Sequence, residues 1–567
     1  MSTVERDPVK AFEQRVDPFG TTMPMLRAQW AWLTHPAELG RQALEAGFAA
    51  QRLALHGTLR ALGLPHEDPL PPDRDDDRFR DPVWTRNPAW DGVKELYLLF
   101  ARQAQQMAAN APGLSHADRQ RAQFWCRKWL AAASPTNQFW SNPVAQQKAW
   151  LSGGESLMKG WSNFMDDVRA GDLRLAPTEG FEVGRNLANT PGAVVARNRL
   201  LEVIHYTPTQ PKVHAVPVVI VTPWINKFYV LDLNPTRSFV RWLLDQGVDV
   251  YITSWKNPDA SLRDLKFDDY LTEGIGTLVD TAREISGAKQ VHAVGYCIGG
   301  IALTAYMAWA QRAYPKRQQP VKDWTLFVTL VDFHAPGDIE AFLGEDSVDA
   351  IEEKMQQRGY LDGKDMTAAF RLLRSRSLIW NYVVNGWLYG EPPPSMDVLY
   401  WNMDSTRLPA TEHAWYLREL YVRNKLIQPD ALTLAGQPID LRRVTQPLYA
   451  VACEDDHIVP WREAFRVNQH VSGPKRFTLT SSGHILGIVN PPVNPPKRRF
   501  RSSDIDAGAA HDAEAWKAAQ AEQPGSWWPD WLAWLAPKLG PLRDAPPLAS
   551  TTLPVLAPAP GTYVLET

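Results

Sequence analysis

The sequence has little cysteine, almost no net charge and no long apolar run, and each shortage excludes a class of protein. Only 3 cysteines occur in 567 residues, at positions 126, 297 and 453. This number excludes a disulfide framework and fits a reducing compartment. The formal net charge of −3 gives no reason to expect a nucleic-acid partner or binding to an anionic membrane. No Cys-x-x-Cys pair or histidine-rich cluster indicates a metal site.

The first residues (MSTVERDP) are polar and lack the apolar core of a signal peptide. No apolar segment is long enough to cross a bilayer, so we expect no transmembrane segment and a cytoplasmic location. What the sequence has in excess is tryptophan, with 24 residues, and proline, with 46. Tryptophan packs most often in cores, but it also lines pockets and surfaces that meet apolar material.

Residues 1–175 are predicted to form a helical region. The pattern indicates helix across Met25–Leu62, and again at Trp90–Ala109, His116–Ala133 and Pro143–Ala170. A segment rich in proline and aspartate, Leu64–Asp76, reads as a linker. We interpret the region as a bundle or wrapping layer. The alternative is a surface for a partner or an apolar phase.

From residue 176 to 567 the pattern changes to short strands that alternate with helices, which predicts an α/β fold with a parallel sheet. Between about 334 and 441 the alternation stops, and this stretch is predicted to be an inserted helical cap. The predicted strands are Leu200–Tyr206, Val218–Thr222, Val248–Ser254, Val291–Val294, Trp324–Val331, Leu448–Ala452 and Arg476–Thr480. The predicted helices between them are Arg237–Gln246, Phe267–Ser286 and Ile301–Ala313.

The segment Gly295–Gly299 (GYCIG) joins a predicted strand to a predicted helix. A nucleophile on such a tight turn needs glycine on both sides, because larger side chains would clash with the strand and the helix. The turn would place Cys297 above the N-terminus of the helix, which lowers the pKa of a thiol. It would also offer the backbone N–H of Ile298 to an oxyanion. A small buried cysteine in a glycine turn is the simpler alternative.

Two later loops complete a catalytic set. Asp456 follows the strand Leu448–Ala452, and His484 follows Arg476–Thr480. The order nucleophile, acid, histidine, each after a strand, is that of the α/β-hydrolases. His484 would act as the base and Asp456 would orient it. Asp455 competes for the acid role but reads better as a solvated turn residue.

Several other residues have supporting or structural interpretations. His457 is expected to tune the site or pack against it, since it follows the acid and not the last strand. A second oxyanion donor is expected in the loop after Val218–Thr222, from the amide of Trp224 or Ile225. A plain strand exit is the alternative for that loop. Cys453 and Cys126 are expected to be core thiols.

A cysteine in place of serine favours acyl transfer from a thioester such as an acyl-CoA. A thiolate exchanges readily with a thioester, and the acyl-cysteine stays reactive enough to pass its acyl group to an alcohol. A thioesterase or polyester hydrolase of the same fold is the alternative. A non-enzymatic partner-binding protein with a degenerate fold is a third hypothesis, which the complete set of Cys297, Asp456 and His484 argues against.

Together these motifs resemble the polyhydroxyalkanoate synthases, and the ending resembles that of the single-chain, class I members. The matching segments are Phe181–Asn186, Pro223–Leu233, Ser254–Asp259, Gly295–Gly300, Trp380–Val384, Leu399–Asn402, Asp456–Trp461, Ser482–His484, Gly525–Asp530 and Pro558–Val564. The region before about residue 175 matches more loosely. The resemblance implies an α/β-hydrolase fold, with Cys297 as nucleophile, Asp456 as acid and His484 as base.

The resemblance also implies a substrate and partners. They are (R)-3-hydroxyacyl-CoA, with 3-hydroxybutyryl-CoA first, a growing polyester chain, a granule surface and granule-associated proteins, and a second copy in a homodimer. No cofactor is implied, because the CoA thioester is the substrate. The predicted cap would exclude water from Cys297. The tryptophan-rich segment Ser526–Trp534 could meet the granule, but we favour a packed C-terminal helix.

Overall fold

The structure is a computed structural model that describes residues 17, 19–64, 67–73, 76–315, 318–506 and 511–567. The polar residues 1–8 and part of the predicted linker at 64–76 lie outside these ranges. The chain forms two compact units. The first contains the described residues up to Pro177, with Glu340–Phe342 and Ala368–Ser395. The second contains Thr178–Ile339, Leu343–Thr367 and Met396–Thr567, so the predicted cap at 334–441 is divided between the units.

The first unit is built from helices, and glycine or proline separates several of them. The predicted helix Pro143–Ala170 is wrong as one element, because Gly153 and Gly154 take φ values of 61° and 89° and break it. The long predicted helix at 25–62 also breaks before Pro36. The α-helices are Met23–Leu33, Pro36–Ala61, Val83–Arg86, Pro88–Ala109, His116–Ala132, Pro143–Leu151 and Glu155–Ala170, and the π-helices are Arg376–Trp380 and Val383–Leu388.

Large apolar side chains lie exposed on this first unit. Trp140 is 84% exposed, Trp150 86% and Met158 77%. The buried apolar residues described in the unit form small separate clusters, such as the one around Trp84 and the one around Phe124. Such exposure is typical of surfaces that meet a partner or an apolar phase. The interpretation of this region as a partner-facing surface stays a prediction.

The second unit is organised around an 11-stranded sheet. The strands are numbered along the chain as β1 Gly192–Arg197, β2 Leu201–Tyr206, β3 Lys212–His214, β4 Val218–Val221, β5 Val250–Trp255, β6 Val291–Tyr296, β7 Val321–Phe327, β8 Tyr360–Leu361, β9 Leu408–Pro409, β10 Thr433–Leu434, β11 Gln437–Pro438, β12 Leu448–Cys453, β13 Lys475–Thr480, β14 Arg499–Ile505, β15 Gln523–Pro524, β16 Leu542–Asp544 and β17 Ala557–Pro558. The order of the strands in the large sheet is β15-β14-β13-β12-β7-β6-β4-β5-β2-β1-β17.

The six central strands, from β13 to β5, run parallel, and antiparallel strands extend the sheet on both sides. The central strands are apolar because both faces are covered: every residue of β4 is fully buried. The covering and connecting α-helices are Phe239–Asp245, Phe267–Asp269, Thr277–Ser286, Ile298–Ala313, Glu345–Arg358, Asp397–Met403, Ala410–Trp415, Trp461–Phe465, Val467–His470, Ala513–Ala519 and Trp528–Leu535, with π-helices at Tyr270–Gly276 and Tyr416–Val422. The α-helix Gly363–Leu373 begins in the second unit and ends in the first. This topology confirms the predicted α/β-hydrolase fold.

Several predicted boundaries are corrected. The strand predicted to run to Val331 ends at Phe327, because Val328 takes a φ of 40°. The helix after the elbow starts at Ile298, three residues earlier than predicted. The helix predicted at Phe267–Ser286 contains the π-helical segment Tyr270–Gly276. The sheet starts with β1 and not with Leu200–Tyr206.

Both edges of the large sheet end in a strand of two residues. β15 pairs only with residues at the start of β14, and β17 pairs with Ala193 and Val194 of β1. Each of these edge strands contains a proline, Pro524 or Pro558, which has no backbone N–H to donate. Each of them covers only two positions of its neighbour, so the outer sides of residues 501–505 of β14 and 195–197 of β1 have no strand partner within the described ranges.

The tryptophan-rich segment forms the packed helix that the sequence favours. Trp527, Trp528 and Trp531 are fully buried. Their indole N–H groups donate to Gly487 O, Ile488 O and Thr325 Oγ1, each at 2.9 Å. The alternative, that these three rings meet a granule surface, is wrong. Within the described ranges, no helix is long and apolar enough to cross a membrane.

Candidate active site

Cys297 lies on a sharp turn between β6 and the helix Ile298–Ala313. Its φ of 53° lies in the left-handed region, which residues other than glycine rarely adopt. Its backbone N–H donates to Phe327 O at 3.0 Å, which fixes the turn against β7. The strained conformation leaves the thiol half-buried at the N-terminal end of the helix, as the elbow motif predicts.

The flanking glycines allow the close packing of this turn. A Cβ added at Gly295 would lie 2.6 Å from Gly300 Cα, and one added at Gly299 would lie 2.5 Å from the carbonyl oxygens of Val221 and Thr222. Both distances are far inside van der Waals contact. The second contact also places the start of the loop that follows β4 directly beside the helix N-terminus that carries Cys297.

We predict that Gly299→Ala destabilises the protein by about 3 kcal/mol or more, because the obstructing atoms belong to backbone and cannot rotate away. Gly276→Ala is the matched control, since its Cβ would lie 3.5 Å from Leu271 O, an ordinary contact. Urea unfolding followed by circular dichroism measures both variants. Equal midpoints for the two variants would contradict the prediction.

His484 and Asp456 form a hydrogen-bonded pair beside the thiol. His484 Nδ1 donates to Asp456 Oδ2 at 2.7 Å, and both residues are buried, at 7% and 8% exposed. Asp456 Oδ1 accepts the backbone N–H groups of Ile458 at 2.8 Å and Val459 at 2.9 Å. These bonds fix the carboxylate, which in turn leaves Nε2 of His484 for its hydrogen bond with Cys297.

The charge on His484 is stabilised by its neighbours. Burial alone would lower the pKa of the imidazole, but the Asp456 carboxylate and the Cys297 sulfur raise that pKa to about 10. The arrangement therefore favours a proton on the imidazole when the sulfur is a thiolate. This is the ionic state that a cysteine nucleophile needs.

The structure distinguishes the neighbouring candidates by position. Asp455 is exposed and its backbone N–H donates to Ser482 O at 3.0 Å, so it lies in a solvated turn. His457 is half-buried, and the histidine bonded to the Asp456 carboxylate is His484. Cys453 is fully buried at the end of β12, and burial raises the pKa of its thiol. Cys126 is half-buried in the first unit.

Ile298, Trp224 and Ile225 supply backbone N–H groups that make no hydrogen bond within the described ranges. Ile298 begins the helix after Cys297, and the other two follow β4. The Trp224 ring stacks on Tyr270, with ring centroids 4.1 Å apart, and packs edge-on against Trp255 at 5.5 Å. Free N–H groups at these two places fit an oxyanion site, and their role stays a prediction.

Sequence reasoning missed a group of aromatic side chains around the thiol. Tyr296 stacks on His484, with centroids 5.7 Å apart, and its hydroxyl donates to His484 O at 3.2 Å. Tyr416 and Tyr421 pack edge to face, with ring centroids 5.4 Å apart, and burial together with the nearby Cys297 raises the pKa of each phenol. They come from the π-helix Tyr416–Val422, more than a hundred residues after the elbow. Only the irregular helical pattern there could have indicated them.

One cluster in the first unit has the composition of a metal site. The ligand-type atoms of His56, Asp68 and Asp91 lie within 4.8 Å of one another. The buried ammonium of Lys94 lies 2.7 Å from Asp68 and 2.9 Å from Asp91, so a cation of the protein already balances these carboxylates. The prediction that the protein uses no metal stays a prediction.

Comparison with known proteins identifies the family of this chain. The family described as "Poly-beta-hydroxybutyrate polymerase (PhaC) N-terminus" matches residues 75–243, and the alpha/beta hydrolase fold family matches residues 217–491. The chain is similar to the poly(3-hydroxyalkanoate) polymerase of Methylorubrum extorquens, with 39% identity over 96% of this chain and 89% of the relative. It is similar to the polymerase subunit PhaC of Rhizobium etli, with 38% identity over 98% of this chain and 87% of the relative.

The corresponding subunit of Cupriavidus necator is 38% identical, over 93% of this chain and 88% of the relative. These similarities span both units of the structure and include the elbow, the acid loop and the histidine loop. The chain therefore belongs to the poly(3-hydroxyalkanoate) polymerase family, whose members are acyltransferase enzymes, and it has the α/β-hydrolase fold.

Proposed function

We propose that this protein polymerises (R)-3-hydroxyacyl-CoA, with 3-hydroxybutyryl-CoA as the preferred monomer, into polyhydroxyalkanoate with release of CoA. The observation that carries the proposal is the hydrogen-bonded series Cys297, His484 and Asp456, with the thiol on a strained turn in a member of this family. The substrate follows from the resemblance to class I members.

In the proposed first step, His484 accepts the thiol proton and the Cys297 sulfur attacks the thioester carbonyl of the substrate. The bond from carbonyl carbon to the CoA sulfur breaks, and His484 returns the proton to the departing thiolate. The amide of Ile298 and that of Trp224 or Ile225 would stabilise the oxyanion between these events. The products are free CoA and an acyl group on Cys297.

In the proposed second step, the 3-hydroxyl of another monomer attacks the acyl-cysteine. An ester bond forms, the bond from acyl carbon to sulfur breaks, and the hydroxyl proton passes through His484 to the sulfur. Asp456 stabilises the imidazolium that forms when His484 takes the hydroxyl proton. The buried tyrosines Tyr416 and Tyr421 limit water near the acyl-cysteine, and water attack would end the chain as a free acid.

The test is thiol release from the purified protein mixed with 3-hydroxybutyryl-CoA, with the product examined for insoluble polyester. We expect CoA and polymer to appear together. CoA with only free hydroxy acid would support the alternative, a thioesterase or polyester hydrolase of the same fold. Absence of CoA release would shift the test to longer 3-hydroxyacyl-CoA esters.

Asp456→Asn is expected to keep acylation of Cys297 but to slow elongation by about a hundredfold or more. The amide retains much of the geometry of the loop, but it cannot stabilise the imidazolium that the hydroxyl attack requires. The acyl-enzyme fraction from intact mass and the polymer yield measure the two steps separately. Asp455→Asn, an exposed neighbour, is the matched control. Equal loss at both steps would show that Asp456 only supports the structure.

We also propose that the protein works without a cofactor, as a homodimer, in the cytoplasm and at the surface of polymer granules with granule-associated proteins. The family resemblance supports these points. The exposed apolar side chains of the first unit, such as Trp140 and Trp150, are consistent with contact with an apolar partner.

A further inference from the structure

The helix Ala410–Trp415 carries two buried polar side chains for which the proposed mechanism has no use. Glu412 is fully buried, and His413 is 3% exposed. Within the described ranges, neither carboxyl oxygen of Glu412 has a hydrogen-bond partner of standard geometry, and the same holds for Nδ1 of His413. Burying polar groups in this way is costly, and such groups concentrate at functional sites.

Glu412 faces the indole N–H of Trp224. This N–H lowers the pKa of the Glu412 carboxyl, although the two groups do not reach standard hydrogen-bond geometry. The titratable groups that face Glu412 from neighbouring elements are the phenols of Tyr270 and Tyr416. Burial dominates and raises the pKa of Glu412 to about 8, so the carboxyl is mainly neutral at pH 7.

The main chain around Trp224 is held from the same region of the sequence. Thr406 Oγ1 donates to Trp224 O at 2.6 Å. Trp401 Nε1 donates to Lys227 O at 2.7 Å, and Lys227 Nζ lies 2.7 Å from Asp404 Oδ1. The segment 401–412 therefore fixes the loop 223–227 at both ends, and Glu412 together with Tyr270 confines the indole ring.

We propose that Glu412 is a positioning residue that fixes the Trp224 indole and so aims the backbone N–H groups of the loop 223–227 at the oxyanion formed on Cys297. The inference rests on the proposed acyl transfer through Cys297. A change at Glu412 should therefore alter the acylation rate and leave the reactivity of the Cys297 thiol unchanged.

The test compares Glu412→Leu, which keeps the volume but loses the polar contact, with Glu412→Gln, which keeps a neutral hydrogen-bonding group. Acylation is measured with 3-hydroxybutyryl-CoA and with p-nitrophenyl acetate, which reports the same step without CoA. Alkylation by iodoacetamide measures the thiol alone, because it forms no oxyanion. Glu419→Gln, on the following π-helix, is the matched control.

We expect Glu412→Leu to lower kcat about tenfold or more with both substrates, while KM and the alkylation rate stay unchanged. We expect Glu412→Gln to keep the wild-type kcat and to lose an inflection of the acylation rate near pH 8. Trp224→Phe removes the indole N–H that Glu412 faces. The decrease in kcat that it causes is therefore not expected to add to the decrease caused by Glu412→Leu in the double variant.

A wild-type kcat in Glu412→Leu, or an equal loss of alkylation and acylation, would overturn the inference. Fully additive losses in the double variant would also overturn it. Acylation by p-nitrophenyl acetate, with no CoA release from 3-hydroxybutyryl-CoA or from longer 3-hydroxyacyl-CoA esters, would contradict the proposed function while leaving the role of Glu412 measurable. Acylation of the wild-type protein by none of these substrates would overturn both the inference and the proposed function.

Discussion

Cys297→Ala is expected to abolish CoA release from 3-hydroxybutyryl-CoA, with a loss on the order of a thousandfold or more. The Cys297 thiol is the nucleophile that His484 faces, and alanine leaves no atom to accept the acyl group. Intact mass of the protein after mixing with the substrate measures acylation directly. The wild-type protein should gain the mass of the acyl group, and the variant should not.

The variant should fold normally, because Cys297 is only half-buried and its strained φ of 53° is no more difficult for alanine than for cysteine. Cys126→Ala is the matched control, a half-buried thiol in the other unit, and it should be acylated like the wild-type protein. An acyl adduct on Cys297→Ala would refute the assignment of the nucleophile. Loss of the adduct in Cys126→Ala would question it.

Glu412→Gln is expected to stabilise the protein near pH 8, by up to about 4 kcal/mol in the free energy of unfolding. Burial raises the pKa of Glu412 from 4.5 to about 8 in the folded state. Between these two values the unfolded chain releases the proton and the folded chain keeps it. The free energy of unfolding therefore falls as the pH rises from 4.5 to 8, and glutamine removes this loss.

Urea unfolding of both proteins at pH 5 and pH 8 measures this difference. At pH 5 the two proteins should be nearly equally stable, and at pH 8 the variant should be clearly more stable. A difference that does not depend on pH would contradict the prediction. It would mean that the pKa of Glu412 is the same in the folded and the unfolded chain.

Asp332→Asn is expected to change the stability of the protein with pH in the opposite direction. Burial alone would raise the pKa of Asp332, but donors from His470, Asn424 and Arg466 hold that pKa well below its ordinary value. The stabilisation by this carboxylate is present at neutral pH and is lost as the pH falls through the folded pKa. Asp332→Asn should therefore destabilise the protein at pH 7, and the difference should shrink in acid.

The sequence predicts the parts of the site that follow strands directly. Cys297, Asp456 and His484 each come within a few residues of a strand end, and parallel strands bring their ends to one edge of the sheet. Glycine spacing around Cys297 also predicts the strained turn. These features depend on neighbours close in the chain, and the structure brings the three side chains together as expected.

The features that were missed depend on neighbours far apart in the chain. Glu412 faces Trp224 across almost two hundred residues, and nothing in the local pattern of either segment indicates the contact. The two-residue strand β17 is too short for an alternating pattern, although it completes the sheet beside β1. Gly153 and Gly154 indicate a helix break, but the helical periodicity on both sides of them predicts one continuous helix.

The short, proline-bearing strands β15 and β17 have a consequence for crowding. Sheets with long open edges join edge to edge and grow into fibrils when many copies are held close together. Molecules gathered on one small particle would have very high local concentrations. Pro524 and Pro558 each remove a backbone donor from the outermost strand, which restricts strand pairing between neighbouring copies at these two places.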